Sequence, residues 1–135
     1  VLLFLAISAV LARFLSVENV ERDDEEALLQ AQVRGEPNAM LAKLSGCRDS
    51  PACVATVRTN ADRLRRKGEA KIISLKSPTA YSLTGASGKT RLAWTVIGAS
   101  PVVQCVDVRR TGNAITGIEI KLLALSAPIS NAGDC

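Results

Sequence analysis

The sequence predicts an α+β protein: an N-terminal membrane helix, then two to three helices packed on one face of a four-stranded antiparallel sheet. Three observations predict it. Residues 1–17 (VLLFLAISAVLARFLSV) carry one charge, Arg13, and no helix breaker. Residues 23–67 place apolar side chains at helical spacing between Pro and Gly punctuation. From residue 72 to residue 125 the apolar period changes to two. Helices first and hairpin-connected strands second is the order of an α+β fold.

The opening segment is at the short limit for crossing a bilayer core, which takes about 17–25 mostly apolar residues. Arg13 lies about one turn from its polar end, within snorkelling reach of the interface. The first reading is a single-pass signal anchor. A filament-forming pilin helix and a secretory leader compete with it. A leader's apolar region runs only about 7–15 residues before a small-x-small cleavage site, and here Ala6-Ile7-Ser8 falls too early. A buried core helix is disfavoured because the segment is apolar all round. Residues 18–26 (ENVERDDEE) then hold six acids and Arg22. With no Lys/Arg cluster to retain this side in the cytoplasm, residues 18–135 are expected outside it as a single domain. About 118 residues suffice for one core.

Within that body, Asp23, Asp24, Glu25 and Glu26 suit the first turn of a helix, where the dipole favours negative charge. The acidic run reads as a solvated face. Leu28, Leu29, Gln32 and Val33 form its apolar stripe, and Gly35 punctuates it. Nothing before Gly35 prevents this helix from continuing out of the apolar segment. Pro37 opens a second helix carrying Met40, Leu41 and Leu44, closed by Gly46. Ser50-Pro51 caps a third, with Cys53, Val54, Val57, Ala61 and Leu64 along one stripe. Arg63, Arg65, Arg66 and Lys67 load its last turn, where cations complement the dipole, and Gly68 ends it.

The strands follow. Ile72, Ile73 and Leu75 form the first, interrupted by Ser77-Pro78-Thr79, with Ala80–Leu83 a candidate continuation. Residues 84–88 (TGASG) read as a turn. Residues 90–97 alternate, with Leu92, Trp94 and Val96 against Arg91, Ala93 and Thr95. Residues 102–110 set Val102, Gln104, Val106 and Val108 against Val103, Cys105, Asp107 and Arg109. A turn at Thr111-Gly112-Asn113 leads to residues 115–125, the longest strand expected, with Ile118, Ile120 and Leu122 inward and Glu119 and Lys121 outward. Trp94 is expected between sheet and helices, in one layer with Ile118, Ile120 and Leu122.

Four cysteines, Cys47, Cys53, Cys105 and Cys135, stand outside the apolar segment. An even number suits an oxidising compartment. Three connectivities exist. Local reach favours Cys47–Cys53 across the turn at Pro51, which leaves Cys105–Cys135 to pin the C-terminus. Zinc is disfavoured by the spacing and by the absence of His. Nucleic acid is disfavoured as well: the net charge is only +4, with one Trp and one Tyr outside the apolar segment. Residues 85–90 (GASGKT) imitate a phosphate loop, but the required first Gly is Leu83, and a strand rather than a helix follows. Tyr81, Gln104, Asp107 and Glu119 are the polar groups at strand positions. Without His as a base they make no catalytic set, and Asp107 is read as a surface partner of Arg109. No enzyme activity, cofactor or metal is expected.

Residues 28–36 (LLQAQVRGE) followed by residues 40–44 (MLAKL) resemble the opening of nuclear transport factor two-like domains, over about residues 20–126. The resemblance implies a curved antiparallel sheet behind the helices. It also implies a membrane-anchored accessory or scaffold protein, with no catalytic residue carried over. The apolar N-terminal helix, antiparallel sheet and C-terminal cysteine pair also resemble type IV pilins and pseudopilins. Against that family, Leu5 stands where an acid is usual, and Arg13 needs a partner inside a filament. The function expected is a non-catalytic, membrane-anchored extracytoplasmic binding or scaffold domain, whose partner is the membrane together with a protein. The alternative is a structural subunit of an extracellular filament.

Overall fold

The structure, a computed structural model, describes residues 1–77, 85–113 and 117–135, without the side chains of 13–18, 85, 86, 113 and 118. The helix opening the chain, α1 (Leu2–Arg34), is unbroken over 33 residues, about 50 Å at 1.5 Å per residue. The apolar segment and the amphipathic segment are therefore one rod. It ends at Gly35, whose φ of 71° is the left-handed conformation. The Gly35 N–H donates to Gln32 O and the Glu36 N–H to Ala31 O, which satisfies the last carbonyls. Two short helices follow: α2 (Pro37–Lys43), and α3 (Pro51–Arg63), whose Ser50 hydroxyl accepts from the Cys53 N–H as an N-cap. A single 3-10 turn, Cys47–Asp49, lies between them.

Among the described residues the sheet is a four-stranded antiparallel meander in sequence order: β1 (Lys71–Lys76), β2 (Gly85–Thr95), β3 (Val102–Asn113) and β4 (Gly117–Leu125). The α+β class, the helices-then-strands order and the four antiparallel strands follow the sequence reading. Leu28, Leu29 and Val33 of α1, Met40 and Leu41 of α2, and Val57 and Ala61 of α3 pack with Ile72, Leu92, Trp94, Val106, Val108, Leu122 and Leu125 into one core. Trp94 is 1 % exposed. Leu122 shares its core and Ile120 is partly buried against it; the side chain of Ile118 lies outside the described residues.

Several boundaries differ from expectation. Residues 85–88 are strand, not turn, because β3 runs on past Arg110 and supplies partners: Gly85 pairs Thr111 and Gly88 pairs Val108. Thr111-Gly112-Asn113 is likewise strand, pairing Glu119, Ile118 and Gly117 of β4, and among the described residues β3, at 12 residues, is the longest strand. β2 stops at Thr95, leaving Ile97 90 % exposed. Ile73 points to solvent because the β1–β2 register shifts between Ile72 and Ser74, a bulge that takes one residue out of alternation. Leu44 is not helical: it bridges Leu122 in parallel, and the Ser45 N–H donates to Leu122 O. α3 ends at Arg63, so Arg65, Arg66 and Lys67 lie just past its end. Tyr81 and the candidate continuation at 80–83 lie outside the described residues.

The N-terminal third of α1 takes no part in the core. Leu2, Leu3, Phe4, Leu5, Ile7 and Leu11 are all more than half exposed. Among the described residues no helix is long and apolar enough to cross a membrane, so the expected membrane helix at 1–17 gains no support from the fold. Arg13 interrupts the apolar run and acids begin at Glu18.

The C-terminal tail first extends the edge of β3, Ile129 bridging Val103, and then runs beside Arg91 and Cys105, which alternate away from the helix-facing Leu92 and Gln104. The Ile129 N–H donates to Val103 O, and Arg91 donates to the Gly133 and Asn131 carbonyls. Cys105–Cys135 fastens this tail, and Cys47–Cys53 closes the α2–α3 connection, with Cα separations of 5.7 and 5.4 Å. No cysteine is free. This is the pairing local reach favoured. In the chain-entropy account a closed loop of 30 residues contributes about 3–4 kcal/mol and one of six about 2 kcal/mol. Cys105→Ser with Cys135→Ser is therefore expected to cost more in chemical denaturation than Cys47→Ser with Cys53→Ser. It is also expected to expose the chain beyond Ser126 to limited proteolysis.

Candidate functional site

The most unusual chemistry lies where α1 crosses the sheet. Four positions on α1, Glu21, Glu25, Gln32 and Val33, fall on the stripe that also carries Leu28 and Leu29, and all are fully buried. The acidic run is thus not simply a solvated face. Asp23 and Asp24 are exposed, but helical spacing turns Glu21 and Glu25 inward. Opposite them the inward face of β3 continues from Gln104, Val106 and Val108 to Arg110, and that of β2 begins at Thr90 before Leu92 and Trp94.

Glu21 is well partnered. Its Oε2 accepts from Arg110 Nη2 in a buried ion pair, and its Oε1 accepts from the Thr90 hydroxyl at 2.8 Å. Arg110 also donates to the Ser77 hydroxyl at 3.1 Å. Glu25, one turn on, has no hydrogen-bond donor for either carboxyl oxygen among the described residues. Burial, then the negative charge of Glu21, pushes Glu25 up from 4.5 to about 8, against the opposing pull of Arg110. At neutral pH Glu25 is therefore largely protonated, and its hydroxyl can donate to the Glu21 carboxylate.

A second polar knot sits deeper. The amides of Gln32 and Gln104 exchange two hydrogen bonds, of 3.0 and 3.1 Å. Trp94 Nε1 donates to Gln104 Oε1 at 2.7 Å, and Gln104 Nε2 also donates to Ser126 O at 2.9 Å. The knot satisfies each polar atom that Trp94 and two glutamines bring into the core, which fixes the register of α1 on β3.

The residues singled out in sequence scatter. Gln104 is in this knot. Asp107 is on the opposite face, where its partner is Lys89 at 3.4 Å rather than Arg109, because Lys89 stands directly across on β2. Glu119 pairs Lys121 at 3.8 Å on the same strand. Both pairs are half exposed, so each contributes little. The basic cluster is a helix-end device: Arg66 Nη1 donates to the Arg63 and Arg65 carbonyls, and the Arg66 N–H caps Val33 O. The phosphate-loop look-alike at 85–90 lies within β2. A surface groove of about 470 Å³ runs between the Cys47–Cys53 loop and β4, with Arg109 and Lys121 on its wall. Among the described residues no group of three or more His, Cys, Asp or Glu converges as metal ligands.

Sequence reasoning missed Glu21, Glu25, Thr90 and Arg110. The signal was present: each continues, by helical or alternating spacing, an apolar stripe already recognised. Their charge concealed it. Compared with protein-family models, curated proteins and solved structures, the chain shows no match.

Proposed function

We propose that this chain is a non-catalytic extracytoplasmic binding or scaffold domain, tethered to a membrane through residues 1–17. The observation that carries the reading is the division of α1. Its first part presents Leu2, Leu3, Phe4, Leu5, Ile7 and Leu11 to the surroundings, while its last part is locked into the core. An exposed apolar rod of that kind needs an apolar phase or a partner. Two disulfides in a small body suit an oxidising compartment. A long helix, two short ones and an antiparallel meander are in keeping with the resemblance to nuclear transport factor two-like domains. A partner protein then meets the sheet's outer face or the exposed rod.

The unbroken path from the apolar segment into the sheet-packed helix, with a disulfide pinning the C-terminus, favours one other reading: a pilin-like subunit whose apolar rods pack against one another. Electron microscopy of sheared surface material separates the two. The scaffold reading expects the chain only in the membrane fraction, released by detergent as a discrete species. Filaments built from this chain would replace it with the pilin reading, and release by salt alone would overturn both.

A further inference from the structure

We propose that Glu21, Glu25 and Arg110 form a proton-operated latch between α1 and the sheet: one proton held between the two carboxyls clamps the helix, and its loss loosens it. The inference is independent of where residues 1–17 reside.

The geometry carries it. Glu21 and Glu25 are one helical turn apart, on the same face, and both are fully buried. Two carboxylates this close in a dry interface repel. Among the described residues the charged groups around Glu25 are Glu21 and Asp24 on its own helix and Arg110 on β3. Among the described residues the sheet side otherwise brings the neutral hydroxyls of Thr90, which donates to Glu21, and Ser77, which accepts from Arg110. Asp24 opens onto a small surface pocket shared with Lys43 of α2 and Lys121 of β4, and Arg22 is turned away to Glu26 and Ile72 O. With Glu25 protonated, the cluster holds one negative and one positive charge, and the Glu25 hydroxyl has the Glu21 carboxylate as acceptor. With Glu25 ionised, it holds two negative charges against one positive, and among the described residues neither Glu25 oxygen has a donor.

The direction of the pH effect follows from linkage. Unfolded Glu25 titrates near 4.5 and folded Glu25 near 8. Below 4.5 both states hold the proton and the latch contributes fully. As pH rises from 4.5 to about 8 only the folded state holds it, so stability is lost steadily, and above about 8 the loss levels off.

Native-state hydrogen exchange on the full chain in detergent, corrected for intrinsic rates, tests this. Protection of the amides at 21–34 is expected to fall by up to tenfold per pH unit between 4.5 and about 8. In Glu25→Gln, an uncharged isostere of the protonated acid, it stays level. A flat profile in the wild type, or the same slope in both proteins, overturns the latch. Infrared spectroscopy of the folded wild type decides the matter even if the variant does not fold. A protonated carboxyl band at neutral pH that fades above about 8 is expected, and an absent band rejects the proposal.

Discussion

Arg110→Leu is expected to destabilise the protein by roughly 3–5 kcal/mol at neutral pH, the usual cost of stranding one partner of a buried ion pair. The guanidinium is 4 % exposed and its partner Glu21 not at all, so water cannot replace it. Thr90 remains as a donor to Glu21, as does the protonated Glu25, but neutral hydroxyls do not offset an unpaired charge in the core. Desolvation, not attraction, sets the magnitude expected, and a double-mutant cycle tests this. Glu21→Leu combined with Arg110→Leu is expected to recover most of the loss, because an apolar pair of similar volume needs no hydration. Urea unfolding followed by Trp94 fluorescence gives both numbers. A single-variant cost below about 1 kcal/mol is what a solvated surface pair gives, and it would mean that the cluster is wet.

Trp94→Ala is expected to cost a similar amount, roughly 3–5 kcal/mol, a large share of a small domain's stability. Here the loss is volume. The indole fills the space between β2 and the helices, beside Leu28, Leu29 and Met40 in the same cluster. Trp94→Phe separates packing from hydrogen bonding. It keeps much of the ring volume and removes the donor to Gln104, whose Oε1 still accepts from Gln32. A cost of about 1 kcal/mol is expected for that change. In the wild type, emission should be blue-shifted and shielded from iodide. Red-shifted, readily quenched emission would instead place Trp94 on a binding surface. Thermal unfolding by circular dichroism measures the variants, which lack the fluorophore.

Much of this fold was legible because local signals agreed with one another. Pro37, Ser50-Pro51 and Gly35 mark helix ends by backbone chemistry that needs no tertiary context. Alternation placed Leu92, Trp94, Val106 and Val108 on one face. Cys47 and Cys53 lie within local reach, and two cysteines then remained. Turns were less legible. A Thr-Gly-Asn triplet at 111–113 and a Gly-Ala-Ser-Gly run at 85–88 both carry turn composition, yet both extend strands, since a long partner strand outweighs local preference. The charged site was the least legible. Charge at Glu21, Glu25 and Arg110 argues for solvent, and only their spacing argues for the core. Burial of such groups depends on partners from α1 and β3, 89 residues apart in sequence, which no local window contains.

The proposed function divides the chain into a membrane-seated apolar rod, residues 1–17, and a body outside the cytoplasm. The most direct test is protease added to sealed, right-side-out membrane vesicles bearing the full chain, with mass spectrometry of what remains. The account predicts that the body from residue 18 onward is digested, once reduction has opened its disulfides, while a fragment containing Val1–Leu11 stays with the membrane. A body that survives until the vesicles are lysed would contradict it.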